Sequence, residues 1–301
     1  MNVAIIGSTS FLAQYIIREL VDNNIKPTLY GKHPSKEFLS LKFILFNLPE
    51  HPINYPDLLN SDVVIYTAGA GIQANLNETA DVIYELNSFI PIRLANVLSQ
   101  NNYKGKLFTF GSYFEIGNEP NKKYYLEDEI LTSLNKMPND YGTSKRLLSR
   151  FLSSSTQMPD YYHLFLPNIY GKGENPQRLI PYLINTLKNK EEIKLTSGTQ
   201  LRQYIHAEDI AKTVLDIIKE NYPKGSYNLC FNEAIQIKEL VNKIFDLCGQ
   251  TEKLNGLRLF GSKERSDTSM PYLLLNNTKA VNTFKFQPQI SIENGIKTYI
   301  I

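Results

Sequence analysis

Tyr141 and Lys145 stand four residues apart in the run Tyr141-Gly142-Thr143-Ser144-Lys145. On a helix that spacing places both side chains on one face. A phenol, with a pKa near ~10, is a poor acid or base at neutral pH. A neighbouring ammonium favours the phenolate and lowers that value. The pair therefore suits moving a proton to or from an alcohol or sugar oxygen. Tyr/Lys pairs at this spacing also occur on solvated helix faces, so the weight of this one comes from the segments that must hold it.

The first such segment is the N-terminus. Residues 2–6 predict a short buried strand, and Leu12, Ile16, Ile17, Leu20 and Val21 follow at helical spacing. Between them, Gly7-Ser8-Thr9-Ser10-Phe11-Leu12-Ala13 is a turn of mostly small residues. Strand, small-residue turn and helix bring backbone N–H groups and a helix N-terminus against a phosphate. The same turn also serves folds that bind nothing there. Thr28-Leu29-Tyr30 predicts the second strand, ending in Gly31-Lys32-His33 with Lys36 nearby and no acid. An acid at that point suits the ribose 2′-hydroxyl of NAD, and basic groups suit a 2′-phosphate. Lys32 therefore favours NADP(H), with NAD(H) as the alternative.

Further strands are expected at Phe43-Ile44-Leu45-Phe46, Val63-Val64-Ile65-Tyr66 and Leu107-Phe108-Thr109-Phe110. The second of these runs into Thr67-Ala68-Gly69-Ala70 and the third into Gly111-Ser112. A long helix between them carries Val82, Ile83, Leu86, Phe89, Ile90, Leu94 and Val97, and Pro91 should kink or divide it. Strands alternating with helices predict an α/β, Rossmann-type doubly wound parallel sheet, with ligand beyond the carboxyl ends of the strands.

Together these residues resemble the extended short-chain dehydrogenase/reductases, in their nucleotide-sugar epimerase/dehydratase/reductase group. The resemblance rests on the Gly7–Ala13 turn, Thr67-Ala68-Gly69, Asn87, Gly111-Ser112 and Tyr141-x-x-x-Lys145. It continues through Leu166-Pro167-Asn168-Ile169-Tyr170-Gly171, Arg202–Asp209 and Lys285-Phe286-Gln287-Pro288. It implies that Tyr141 is the acid/base, that Lys145 lowers its pKa and binds the ribose, and that Ser112 bonds the reacting sugar oxygen. It also implies cofactor contacts at Gly7, Thr9, Ser10, Phe11, Leu12, Lys32, Thr67, Ala68 and Gly69, besides Tyr141 and Lys145. Substrate contacts are implied at Ser112, Tyr113, Asn168 and Arg202, and at Arg265 as a second arginine for the diphosphate. For Arg202 the other reading is a salt bridge with Glu208 or Asp209.

Two departures from the family pattern bear on function. Ser10 and Ala13 replace the second and third glycines of G-x-x-G-x-x-G. Dehydrating members carry Thr-Asp-Glu where this chain has Ser112-Tyr113-Phe114. Elimination needs a second acid/base set, so a reductase of a nucleotide-linked 4-keto-6-deoxysugar is expected. An NAD-retaining 4-epimerase and a non-catalytic dinucleotide-binding protein are the alternatives. The resemblance also implies a homodimer formed through the Tyr141 helix.

The chain has 301 residues, 42% hydrophobic and 21% charged, enough for a sizeable core. Residues 1–165 are expected to form the dinucleotide-binding domain. Residues 166–301 are expected to form mainly a smaller C-terminal substrate-binding α/β domain, with segments returning to the first. A net charge of +2 gives no global field for nucleic acid or an anionic membrane. No apolar run is long enough to span a bilayer, and no signal-peptide pattern precedes Val3, so a cytoplasmic enzyme is expected. Cys230 and Cys248 read as reduced core thiols, His206 as a packed histidine, and four scattered histidines offer no metal-ligand spacing.

Overall fold

The computed structural model describes residues 1–51, 53–72, 76–189, 192–249, 258–262 and 270–300. The first half runs β1 (Val3–Ile6), α1 (Phe11–Asp22), β2 (Thr28–Gly31), β3 (Phe43–Leu45), α2 (Tyr55–Leu59), β4 (Val63–Tyr66), α3 (Ala80–Tyr84), α4 (Ile90–Gln100), β5 (Lys106–Ser112), α5 (Glu127–Thr132), α6 (Asp140–Ser154) and β6 (Asp160–Leu166). The second half adds β7 (Asn168–Tyr170), α7 (Leu179–Asn189), β8 (Ile193–Leu195), β9 (Leu201–Arg202), β10 (Tyr204–His206), α8 (Ala207–Lys219) and β11 (Gly225–Asn228). It ends with β12 (Ile235–Gln236), α9 (Ile237–Leu247), β13 (Arg258–Phe260), β14 (Tyr272–Leu273), α10 (Thr278–Phe284) and α11 (Ile292–Ile300).

Seven strands form one parallel sheet in the order β11-β6-β5-β4-β1-β2-β3. β1 and β4 are buried at all four positions, as a sheet covered on both faces requires. One face carries α1, α8 and α10, closed by Ile16, Leu20, Ile210, Val214 and Phe284. The other carries α2, α4 and α6, closed by Leu58, Leu94, Leu98, Leu148 and Leu152. The order reverses between β1 and β4, which opens a crevice at their carboxyl ends. A third apolar cluster joins α7, α9 and α11 around Leu183, Ile244 and Ile296.

Three differences from the sequence reading have physical causes. β5 extends to Ser112, because Gly111 has no Cβ to meet His163 Nε2 at 2.5 Å or Phe165 Cδ1 at 2.7 Å. β3 stops at Leu45, where Phe46 turns inward against the Tyr30 ring, although its N–H still bonds the Gly31 carbonyl. The long helix is divided just before Pro91, not at it: a π-helical turn separates α3 from α4. Pro91 has no N–H, and its ring would press on the carbonyl four residues back. A π-helical turn over Glu85–Phe89 takes up that misfit and leaves Pro91 in the first turn of α4.

Candidate active site

Three elements meet at the carboxyl end of β5. Ser112 is the last residue of that strand, and a 3₁₀ turn over Tyr113–Ile116 follows it. Opposite lies α6, started by Asn139, whose Oδ1 accepts the Gly142 N–H at 2.9 Å. That start puts Tyr141 in the first turn, with the Ser112 hydroxyl near enough to its phenol to ease its ionisation. The Phe114 ring stands edge-on to Tyr141 at 5.7 Å. One turn on, Lys145 Nζ donates to the Phe110 carbonyl at 2.9 Å. A Cβ on Gly69 would lie 3.9 Å from that nitrogen, so the turn after β4 passes directly over Lys145.

Burial pushes the Tyr141 phenol up to about 12, offset in part by the Ser112 hydroxyl, while Glu115 raises it and Arg178 lowers it. The ammonium-lowered phenol expected from the sequence is thus not what the surrounding side chains produce. Lys145 Nζ is bonded to the strand carbonyl, and Arg178 makes a small contribution that lowers the phenol. Arg178 carried no signal beyond its i,i+4 spacing from Glu174, to which its Nε is paired at 2.8 Å. It also donates to the Ile169 carbonyl at 3.0 Å, and Glu174 in turn receives the Tyr299 hydroxyl. Glu115, also missed, is completely buried and caps the turn through the Ser112 N–H at 2.8 Å. The spacing Ser112-x-x-Glu115 is a capping-box pattern that might have been read from the sequence.

Asn87 ties these parts together. It is 1% exposed, its Oδ1 accepts the Ala70 N–H at 3.0 Å, and its Nδ2 donates to the Ala70 carbonyl and the Ser144 hydroxyl. The amide thus pins the turn after β4 to α6. Asn87→Ala strands those buried partners and is expected to cost about 2–4 kcal/mol. Equilibrium denaturant unfolding checks this, and a loss within experimental error would remove Asn87 from the scaffold.

The crevice fits a dinucleotide on two observations. Gly7 has φ +83°, and a Cβ there would lie 2.5 Å from the Ala68 nitrogen, so the turns after β1 and β4 pack backbone to backbone. Thr67 secures the join, its hydroxyl 2.8 Å from the Ile6 carbonyl oxygen and 3.0 Å from that of Gly7. Ser10 caps α1 by accepting the Ala13 N–H at 3.2 Å, while the Phe11 and Leu12 N–H groups have no acceptor within the helix. The α1 first turn has no acidic residue to repel an anion. Beyond β1, β2 and β3 a cavity of about 200 Å³ is lined by apolar side chains, Ile6, Tyr30, Ile44 and Phe46 among them, and by the polar His51, Asn54 and Asp57. Next in the chain, Asn47 Oδ1 is buried without a hydrogen-bond partner. A cavity of mixed apolar and polar lining, one residue along the chain from an unpaired carbonyl oxygen, suits a flat base bearing an amino group. Nothing in the local pattern of the sequence singled out Asn47.

The other predicted residues are distributed less evenly. Thr9 is exposed on the first turn, Phe11 stacks edge-on with Tyr15 at 5.3 Å, and the Leu12 side chain is in the core. Lys32 is exposed just past β2. Tyr113 is 2% exposed and packs in a cluster with Ile116, Phe165 and Leu273, so its ring faces the core and not the crevice. Asn168 is half-buried at the start of β7, with its side chain on the Tyr204 hydroxyl. Arg202 is 3% exposed and donates to the carbonyls of Leu201 and Met270, each at 2.8 Å. Its expected rivals are otherwise engaged: Glu208 pairs with Lys212, and Asp209 accepts the N–H groups of Gln289 and Ile290. Arg265 lies outside the described residues. His206 is 4% exposed, packed edge-on between Tyr15 and Tyr170. Cys230 is buried and Cys248 partly so, and both are free thiols. Among the described residues no His/Cys/Asp/Glu group is placed to hold a metal, and no helix is long and apolar enough to cross a membrane.

Comparison with known proteins places this arrangement. The chain is 27% identical to CDP-abequose synthase of Salmonella muenchen, over 98% of this chain and 96% of that one. It is 21% identical to a putative UDP-glucose 4-epimerase of Methanocaldococcus jannaschii, over 99% and 97% of the two chains. DesIV, a dTDP-glucose 4,6-dehydratase from Streptomyces venezuelae solved with NAD and TYD bound, shares the fold. The TM-score is 0.82 at 14% identity, covering 100% of this chain and 97% of that one. The family model described as NAD dependent epimerase/dehydratase matches residues 3–230, and the chain belongs to that family.

Proposed function

We propose that this chain reduces the keto group of a nucleotide-linked 4-keto-6-deoxysugar, with NADPH as the favoured reductant. The convergence of Ser112 at the end of β5 with Tyr141 and Lys145 on α6, the Ser112 hydroxyl acting on the Tyr141 phenol, carries this reading. The two residues after Ser112 are buried aromatics, Tyr113 and Phe114, where an elimination would need acids. The Glu115 carboxylate is fully buried and taken up by the Ser112 N–H and the Ser149 hydroxyl.

When bound, the nicotinamide supplies the hydride. The Tyr141 hydroxyl gives its proton to the carbonyl oxygen as negative charge builds there, and the Ser112 hydroxyl donates to the same oxygen. With its pKa pushed up to about 12, the phenol is protonated at neutral pH, as a proton donor must be. Lys145 holds the ribose, and the cavity beyond β1, β2 and β3 takes the base at the far end. Asn168, Arg178 and Arg202, with Arg265 as a further candidate, are the polar groups assigned to the sugar nucleotide. The similarity to CDP-abequose synthase, and the nucleotide and nucleotide-sugar ligands named with the solved relatives, support this class of substrate. A cytoplasmic homodimer completes the reading: Phe89 and Leu147, 43% and 40% exposed, lie on neighbouring helical segments that a second copy would cover.

The test is loss of the NADPH absorbance with dTDP-, CDP-, UDP- and GDP-linked 4-keto-6-deoxysugars. Rapid loss with one of them establishes the reductase and names the nucleotide. Interconversion of UDP-hexoses without added cofactor would make the chain an epimerase instead. Dinucleotide binding with silence in both assays would leave a binding protein.

Lys32 provides a separate prediction. It is exposed at the carboxyl end of β2, where the one acid nearby in sequence, Glu37, is bidentately held by Arg18 at 2.8 Å. Lys32→Asp is expected to weaken NADPH binding by roughly tenfold with little change for NADH. Fluorescence titration of both cofactors reads this directly, and an unchanged NADPH/NADH ratio would overturn the cofactor preference.

A further inference from the structure

Glu115 lies immediately behind the catalytic group, and its contacts exceed what a turn cap needs. Its Oε1 accepts the Ser112 N–H at 2.8 Å, and its Oε2 accepts the Ser149 hydroxyl. Its main-chain carbonyl accepts Nε and Nη2 of Arg146. Ser149 and Arg146 both stand on α6, the helix that carries Tyr141 and Lys145. One residue therefore ties the strand end bearing Ser112 to the helix bearing the acid. Gly111 leaves room for it: a Cβ there would lie 2.9 Å from Glu115 Oε1.

The charges around this carboxylate are few. From α6 it faces Lys145 and Arg146, with Tyr141 nearby. The Arg146 guanidinium is occupied by the carbonyls of Glu115 and Asn135. From β6 comes His163, whose Nδ1 lies 2.8 Å from the Thr109 hydroxyl. Burial and Lys145 hold His163 down to about 3, so it is neutral. Lys145, whose ammonium is otherwise bonded to the neutral Phe110 carbonyl, is left as the cation for Glu115 to balance.

We infer that Glu115 is a positioning residue of the reaction: its buried carboxylate holds Ser112 against Tyr141 and serves as the counter-charge that keeps Lys145 an ammonium. This rests on the catalytic roles proposed above for Ser112, Tyr141 and Lys145. Burial drives both partners toward neutrality, raising Glu115 and lowering Lys145, and each charge opposes that drift in the other. A glutamine would still accept the Ser112 N–H and donate to Ser149, so a residue needed only as a cap tolerates it. A counter-charge does not.

The experiment is NMR titration of lysine side chains labelled with ¹³C and ¹⁵N in the intact protein, with Lys145→Arg identifying the Lys145 signal. In the wild type, Lys145 should titrate below the surface lysines. In Glu115→Gln its midpoint should fall further, by about one pH unit or more. Ser149→Ala removes a donor that favours the ionised carboxylate, and should move Lys145 the same way by less. In the NADPH assay, the alkaline limb of kcat/KM for NADPH in Glu115→Gln should move down with the Lys145 midpoint, because Lys145 holds the ribose of that cofactor. A folded Glu115→Gln protein with an unmoved Lys145 titration overturns the inference. If that variant does not fold, an unmoved Lys145 in Ser149→Ala overturns it. The titration needs no substrate, so it decides the question even where the keto-sugar assays fail.

Discussion

Tyr141→Phe should leave a folded protein that binds dinucleotide normally but has lost roughly 10²–10⁴-fold in kcat. The ring keeps its edge-on packing against Phe114 at 5.7 Å, so the scaffold has no reason to change. Only the hydroxyl goes, and with it both the contact to Ser112 and the proton donor. KM should change little, because the interaction lost is made in the transition state and not with the bound substrate. Steady-state NADPH oxidation by the two proteins measures this. A variant that retains full activity would remove Tyr141 from the chemistry. The wild-type rate should also stay level through mildly alkaline pH as far as Tyr141 is concerned, since burial keeps its phenol protonated there.

The second prediction concerns the backbone. Gly7→Ala meets two obstacles at once. Its φ of +83° is strained for any residue with a side chain, and the added Cβ would sit 2.5 Å from the Ala68 nitrogen and 2.7 Å from its Cα. Neither neighbour is a flexible side chain that can swing away. Left-handed strain costs about 1–2 kcal/mol and overpacking about 1–3. A total of about 3 kcal/mol, at about 2–4 °C per kcal/mol, lowers the melting temperature by roughly 6–12 °C. The same displacement opens the join between the turns after β1 and β4, so cofactor affinity should fall as well. Calorimetry with and without NADPH separates the two effects. A melting temperature within about 2 °C of wild type would show that the close approach is not a constraint.

Much of this was legible in the sequence because the sheet announces itself. Val3–Ile6 and Val63–Tyr66 are apolar at every position, and only a strand covered on both faces requires that. The Tyr141–Lys145 spacing and Ser112 were legible for a similar reason: helix periodicity and strand-end position are local properties. The electrostatics were not. Whether Lys145 acts on Tyr141 depends on where its long side chain finds an acceptor, and the Phe110 carbonyl lies 35 residues away in sequence. Arg178 and Glu115 were missed because their neighbours are set by the fold: the segment before α7 brings Arg178 to the Ile169 carbonyl in one case, and α6 packs against β5 in the other. The burial of Tyr113 was not legible, because it is set by the 3₁₀ turn after Ser112 and by the cluster that this turn joins. Pro91 signalled a kink or division of the long helix, but the π form that the division takes is a response to packing that no residue type signals.

One feature of the sheet reaches beyond the folded protein. Its outermost strand on the β6 side, β11, comes from residues 225–228, with α8 and β10 made before it. During synthesis on the ribosome, β6 is complete well before that strand emerges. For several seconds, at ordinary elongation rates, its unpaired edge is open to other nascent chains. A premature stop before residue 225 would make that exposure permanent, so C-terminally truncated forms should depend on chaperones or collect in inclusion bodies.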